Sequence, residues 1–143
     1  MGLAALGVGP GDEVIMADTN WIATASPIVH LGAKPVFIDI LPDSWCINPA
    51  LIEDAINSNT KAIIAVHLYG NLCEMNQLLA IGNKYNIPVI EDAAEGMGIK
   101  IDGVHVGTIG DIGVLSFNGN KIITAGGGGM VLTNDSAKAE YAK

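Results

Sequence analysis

Two segments carry residues that could do chemistry together. The first, Ser116–Lys121, ends in a lysine, and no other lysine or arginine lies between residues 111 and 131. The second, Glu91–Glu95, follows the apolar run 87–90 and contains a carboxylate, Asp92. A lysine can form an imine with an aldehyde, and a carboxylate can hold a heterocyclic nitrogen protonated. Together and in this order, the two groups predict a pyridoxal phosphate site.

Short apolar runs alternate with longer mixed segments along the chain, which predicts an α/β fold. Apolar, unbroken strands of this kind are typical of a three-layer arrangement, with a mostly parallel central sheet and helices on both faces. The strands are predicted at Glu13–Met16, Pro35–Asp39, Ala62–Val66, Pro88–Ile90, Ile112–Ser116 and Gly129–Thr133. The helices are predicted at Trp21–Leu31, Pro49–Ser58, with Asn48 as N-cap, and Glu74–Tyr85.

Polar residues fall where several of these strands end. Asp92, Ser116 and the turn His67–Gly70 each follow or close an apolar run. In open parallel sheets, ligands bind at the carboxyl ends of the strands. We therefore expect these residues to share one edge of the sheet.

Composition limits the function classes. The chain has 143 residues, half of them hydrophobic, and a net charge of −8, which argues against nucleic acid and anionic membranes as partners. Cys46 and Cys73 form no metal-binding pattern and are expected to be small buried residues in a reducing compartment. No apolar run is long enough to span a bilayer, and no basic segment precedes an apolar one as in a secretory signal. A cytoplasmic location is the expectation.

Both ends look interrupted. Met1–Gly7 has the pattern of the last turns of a helix, and Asp135–Lys143 that of the start of another. We see no internal repeat or linker within residues 1–143. The expectation is one incomplete domain of a larger protein.

Several motifs resemble one enzyme family, the DegT/DnrJ/EryC1/StrS sugar aminotransferases. They are, in order, Gly11–Ile15, Trp21–Thr24, Gly32–Phe37, Val66–Gly70, Glu91–Glu95, Gly107–Asp111 and Ser116–Lys121. The resemblance implies a fold-type I enzyme with pyridoxal 5'-phosphate, and a chain that is part of an aspartate-aminotransferase-like large domain without the small C-terminal domain. It also implies a homodimer, glutamate as amino donor and a 4-keto-6-deoxy nucleotide sugar as acceptor, as in perosamine or bacillosamine-type synthases that supply surface polysaccharide such as lipopolysaccharide.

The resemblance also implies roles for the residues nearest the chemistry. Lys121 corresponds to the imine-forming lysine and the group that moves a proton during transfer. Asp92 corresponds to the partner of the pyridinium nitrogen, and Trp21 to the aromatic residue that stacks on the ring. The family usually has threonine before this aromatic residue, whereas this chain has Asn20.

Further residues are assigned roles at the margin of the same site. Glu95 resembles the neighbour of the cofactor's phenolic oxygen, and Ser116 a ligand of its phosphate. Asn120 is predicted to hold the lysine loop, and His67 to be an orienting or substrate-side group rather than a metal ligand. The glycines 126–129 are predicted to allow close backbone packing behind the lysine.

Three other interpretations stay open. An isolated lysine is usually a solvent-exposed surface residue. A family relative could keep the fold without turnover, although Lys121, Asp92 and Ser116 together speak against this. A sugar dehydratase of the same family is a further alternative, and Lys121 makes it less favourable because such relatives carry histidine there.

Overall fold

The computed structural model describes residues 1–143, and a six-stranded sheet forms its centre. Its strands are β1 (Glu13–Ala17), β2 (Lys34–Ile38), β3 (Thr60–Val66), β4 (Val89–Asp92), β7 (Ile112–Ser116) and β8 (Gly129–Leu132). The first five run parallel in the order β2-β1-β3-β4-β7, and β8 forms the edge strand, antiparallel to β7. The prediction of a mostly parallel sheet is confirmed.

Helices cover both faces of this sheet. They are α1 (Gly2–Ala5), α2 (Ile22–His30), α3 (Ile52–Ala55), α4 (Met75–Tyr85) and α5 (Ser136–Tyr141). Successive residues of a strand point to opposite faces. Ile15 and Ala17 of β1 accordingly join one core with α3 and α4, whereas Val14 and Met16 join a second core with α1 and α2. The three-layer prediction is therefore confirmed.

Local sequence explains where most elements begin and end. The predicted strands and helices agree with the structure to within a residue or two at β1, β2, β3, β7, β8, α2 and α4. Helix α4 ends at Tyr85 because Asn86 adopts a left-handed conformation with φ 55°, which asparagine tolerates. Cys46 and Cys73 are buried free thiols, as expected.

Two features of the fold differ from the predictions. The helix predicted at Pro49–Ser58 is a 3-10 turn over Pro49–Leu51 followed by α3, and it ends at Ala55. Side-chain oxygens of Asn57 and Thr60 bind backbone N–H groups in the segment that follows, which offers that backbone an alternative to the helix. A short hairpin of β5 (Lys100–Ile101) and β6 (Val104–His105) was also not predicted.

Strand β4 is longer than its apolar run predicts. It extends to Asp92 because Glu91 and Asp92 pair with residues of β3 and β7 on either side. No helix in the structure combines the length and hydropathy needed to cross a membrane.

Candidate active site

The carboxyl ends of β3, β4 and β7 meet at one edge of the sheet, as predicted. Asp92 closes β4 and lies in register between Val66 of β3 and Val114 of β7. The backbone N–H of His67 donates to the carbonyl of Asp92 at 3.1 Å, so the turn after β3 begins against the end of β4. This edge is the place where a parallel sheet offers a crevice for a ligand.

The Asp92 carboxylate is held by two donors. Its Oδ2 accepts from the hydroxyl of Thr24 at 2.9 Å, and its Oδ1 accepts from the Ala94 N–H at 3.1 Å. Thr24 is buried in the first turn of α2, so this hydrogen bond ties the start of the helix to the end of β4. Asp92 itself stays half-buried and so retains surface for a ligand.

Trp21 stands at the N-cap of α2 with 74% of its surface exposed. Its backbone N–H donates to the side-chain oxygen of Asn20 at 2.7 Å, which fixes the entry to the helix. The side-chain nitrogen of Asn20 is buried and has no hydrogen-bond partner. Asn20, at the position where the family usually has threonine, thus accepts from the start of α2 with its side-chain oxygen and buries its side-chain nitrogen.

Lys121 lies at a cavity of about 220 Å³ lined by Tyr69, Ala94, Glu95, Asn120, Lys121 and Ile122. Its Nζ is 3.5 Å from Oε1 of Glu95, and the lysine side chain is only 18% exposed. The other carboxylate oxygen, Oε2, accepts from the Tyr69 N–H at 2.6 Å. The structure thus brings Lys121 and Glu95 together, whereas Asp92 makes no ion pair with Lys121.

The loop that carries Lys121 is closed by its own backbone. Phe117 N–H donates to the Gly128 carbonyl, and Ala125 N–H donates to the Phe117 carbonyl, each at 3.0 Å. Asn120 accepts from the side chain of Asn118 at 3.1 Å within this loop. Ser116, at the end of β7, contacts only the Asn118 N–H through its hydroxyl, at 3.4 Å.

Glycines 126–129 were predicted to allow close backbone packing, but most of them are not closely packed. A Cβ at Gly126, Gly127 or Gly128 would meet no atom within 4 Å, so close packing does not explain them. Gly126 and Gly128 instead have φ of 81° and 90°, which only glycine adopts readily. Only Gly129 is packed, since a Cβ there would lie 2.6 Å from the Leu115 carbonyl oxygen.

His67 forms a fully buried pair with Glu91. Its Nδ1 accepts from the Cys73 N–H at 3.3 Å, so Nε2 carries the proton and donates to Oε2 of Glu91 at 3.1 Å. The ring has no exposed surface, so in this structure it contacts protein groups alone. These contacts hold the start of the turn that follows β3.

Glu91 collects four hydrogen bonds. Besides His67, its carboxylate accepts from the N–H groups of Gly107, Ile109 and Gly110 at 2.9, 2.6 and 2.6 Å. Burial alone would raise the pKa of Glu91, but these hydrogen bonds more than offset it and hold the pKa below its usual range. Glu91 therefore stays ionised and fastens the loop before β7 to β4.

A comparison with protein families matches the DegT/DnrJ/EryC1/StrS aminotransferase family over residues 1–143. The chain belongs to this family.

Relatives within the family include a perosamine synthase and an aminotransferase. GDP-perosamine synthase of Caulobacter vibrioides is 46% identical over 94% of this chain and 36% of its own length. The Bacillus subtilis protein EpsN, described as a putative pyridoxal phosphate-dependent aminotransferase, is 44% identical over all of this chain and 38% of its own. The chain thus spans about a third of the length of these relatives.

Solved structures of the family share the fold. The aminotransferase from Psychrobacter cryohalolentis superposes with a TM-score of 0.92 at 44% identity, covering 96% of this chain and 35% of that one. NtdA from Bacillus subtilis, with bound cofactor PMP, gives a TM-score of 0.89 at 41% identity, covering 96% of this chain and 31% of that one. The family depends on pyridoxal phosphate.

The residues at the sheet edge suit such a cofactor. A primary amine at a cavity, a half-buried carboxylate with fixed orientation and an exposed indole ring are the groups that a pyridine aldehyde requires. The hydroxyl of Ser116 adds hydrogen-bonding capacity for a polar ligand. The donor set therefore fits the cofactor of the family.

Three residues of the site were not predicted from the sequence. Thr24 was part of a family motif without an assigned role, Glu91 was regarded as the residue before Asp92, and Tyr69 as part of a turn. The available signal was the placement of a polar residue within an apolar run, as at Thr24 and Glu91. Such residues are buried only when hydrogen-bonded, so each pointed to a partner.

Thr24→Val is expected to lower the free energy of unfolding by about 1 kcal/mol, because it leaves Oδ2 of Asp92 without its protein donor. Thr24→Ser keeps the hydroxyl, so its free energy of unfolding should fall clearly less. Urea denaturation at neutral pH measures both. Equal stability of the valine variant and the wild type would show that the hydrogen bond to Asp92 contributes nothing.

Proposed function

We propose that this chain forms the cofactor-binding core of a pyridoxal-phosphate-dependent aminotransferase that aminates a 4-keto-6-deoxy nucleotide sugar. The observation that carries the proposal is the placement of Lys121 at a cavity of the sheet edge where Asp92 ends β4. Family membership supports the reaction type. Two GDP-perosamine synthases, 46% and 47% identical, support the acceptor class. A keto-cyclitol is the competing acceptor, because a putative L-glutamine:3-amino-2,3-dideoxy-scyllo-inosose aminotransferase is also 46% identical.

The cofactor supplies an electron sink that stabilises negative charge at the carbon carrying the amino group. Lys121 would hold the cofactor through its amine and, as a free amine, would act as the base that moves the proton. Asp92 keeps the heterocyclic nitrogen protonated, and its own orientation is set by Thr24. Trp21 offers its ring for stacking on the heterocycle.

The remaining roles complete the proposed assignment. Ser116 binds the phosphate with its hydroxyl, and Asn120 holds the lysine loop through Asn118. Glu95 lies 3.5 Å from the Lys121 amine and also lines the cavity, so it would be the neighbour of the cofactor's phenolic oxygen. We further propose that the active enzyme is a cytoplasmic homodimer with glutamate as donor, and that the chain is part of its large domain. Its product would enter polysaccharide biosynthesis.

A covalent trapping experiment tests the core of this proposal. The protein at its natural length is mixed with pyridoxal phosphate and reduced with borohydride, and the modified peptide is mapped by mass spectrometry. A label on Lys121 is expected. Absence of label, or label on an exposed lysine such as Lys61 instead, would contradict the assignment.

A second experiment tests the acceptor. The enzyme is supplied with glutamate and a panel of 4-keto-6-deoxyhexoses linked to GDP, UDP or dTDP, and amino sugar formation is followed by mass. Amination of at least one member is expected, with GDP favoured by the perosamine synthase relatives. Turnover of a keto-cyclitol but of no panel member would overturn the acceptor class.

A further inference from the structure

Tyr69 adopts a backbone conformation that tyrosine rarely takes. It lies in the short turn after β3 with φ 54° and ψ 23°, in the left-handed region. For a residue with a bulky side chain, this conformation costs free energy and persists only when its surroundings impose it. Its side chain is nevertheless 75% exposed, so the ring itself gains little from burial in exchange.

The surroundings impose this conformation from both sides. Before the turn, His67 is anchored by its buried contact with Glu91 and by its N–H donated to Asp92. After it, Gly70 has φ 82°, and a Cβ there would lie 3.4 Å from Ile99 and 3.6 Å from the Glu95 carbonyl oxygen. The Tyr69 N–H itself donates to the Glu95 side chain at 2.6 Å. These contacts hold the backbone of Tyr69 in one conformation.

The turn places Tyr69 at the cavity that Lys121 also lines. Tyr69 lines it together with Glu95, Asn120 and Lys121, and the Glu95 carboxylate connects the backbone of Tyr69 to the Lys121 amine. The cavity thus combines an aromatic ring with a phenol, an amide, a carboxylate and an amine. Such a mixture of one ring face and several hydrogen-bonding groups suits a hydroxylated ring rather than an apolar ligand.

We propose that Tyr69, not His67, is the residue of this turn that binds the amino-acceptor substrate, a hydroxylated six-membered ring that carries a ketone. The phenol hydrogen-bonds a ring hydroxyl, and the strained turn fixes the backbone position from which the phenol projects. This inference rests on the proposed function and adds a specificity-determining residue to it.

Tyr69→Phe tests the hydroxyl. The variant is assayed with glutamate and the panel member that the wild type aminates, and the donor half-reaction is followed separately by the change in cofactor absorbance. The KM for the acceptor should rise about threefold to tenfold, the effect of losing one hydrogen bond, while the donor half-reaction stays unchanged. Tyr85→Phe removes a phenol on α4 outside the cavity and should leave both measurements as in the wild type.

Tyr69→Gly tests the strain without any ligand. Glycine adopts the left-handed conformation freely, and the exposed ring has little packing to lose, so the Tm should stay equal to wild type or rise by a few degrees, up to about 5 °C. The same variant should show the largest rise in acceptor KM. Gain of stability with loss of acceptor binding is not expected of a residue that only supports the fold.

The outcomes separate this inference from the function on which it rests. If Lys121 is labelled and the panel is aminated, but Tyr69→Phe leaves the acceptor KM within about twofold of wild type, only the Tyr69 assignment fails. An equal loss in the donor half-reaction, or a Tm for Tyr69→Gly well below wild type, overturns it as well. If no label and no amination are found, the proposed function fails and this inference fails with it.

Discussion

Replacing Lys121 by alanine is expected to abolish amino transfer, with kcat falling on the order of a thousandfold or more. In its proposed role Lys121 would bond to the cofactor and then carry the proton, and the other side chains that line the cavity offer no second amine. The borohydride label should vanish in the same variant. Mass mapping and a single-turnover assay together measure both losses.

Two variants show whether the loss is specific. Lys121→Arg retains a cation opposite Glu95 but cannot form an imine, so it should be as inactive as the alanine variant. Lys61→Ala removes an exposed lysine at the amino-terminal end of β3, whereas the site lies at the carboxyl ends of the strands. This variant should leave label and activity unchanged. Substantial turnover by either Lys121 variant would exclude the lysine from the chemistry.

The sequence predicted the strands well because each is a short, unbroken apolar run, and burial on both faces requires such runs. Strand order was not predictable in this way. The pairing of β1 with both β2 and β3, and the antiparallel closure by β8, depend on contacts between residues far apart in the chain. The local pattern of apolar residues does not indicate which strand pairs with which.

The candidate site was likewise predictable only in part. Lys121 and Asp92 were predictable because their types and order are tied to one chemistry. The burial of the His67 ring and the left-handed backbone of Tyr69 were not predictable, because both depend on contacts between distant parts of the chain. Histidine is the more familiar substrate-binding residue, and tyrosine has no preference for positive φ that a sequence could reveal.

Glu91 connects the end of β4, which carries Asp92, with the turn that carries Tyr69. It is adjacent to Asp92 in β4, it holds the ring of His67 at the base of the Tyr69 turn, and it binds the backbone of Gly107, Ile109 and Gly110 ahead of β7. One carboxylate of β4 thus fixes both the turn that leaves β3 and the loop that enters β7. A change at Glu91 should disturb fold and site together.

Glu91→Gln is expected to lower the free energy of unfolding by about 3 kcal/mol at neutral pH. The amide replaces one carboxylate oxygen by an NH₂ group, which faces donors that previously had an acceptor, namely two backbone N–H groups or one together with His67. Urea denaturation measures the loss. Glu53→Gln is the control, because Glu53 is an exposed carboxylate paired with Lys84 and should cost far less.

The pH dependence of this difference identifies the carboxylate charge as its cause. Because the pKa of Glu91 is lower in the folded protein than its ordinary value of 4.5, the stability it contributes is fully present above that value and is lost as pH falls through the folded pKa. The difference in unfolding free energy between wild type and Glu91→Gln should therefore be constant from about pH 6 to 8 and shrink below about pH 4.5. A difference that stays the same down to acid pH would mean that packing, rather than the ionised carboxylate and its four donors, determines the effect.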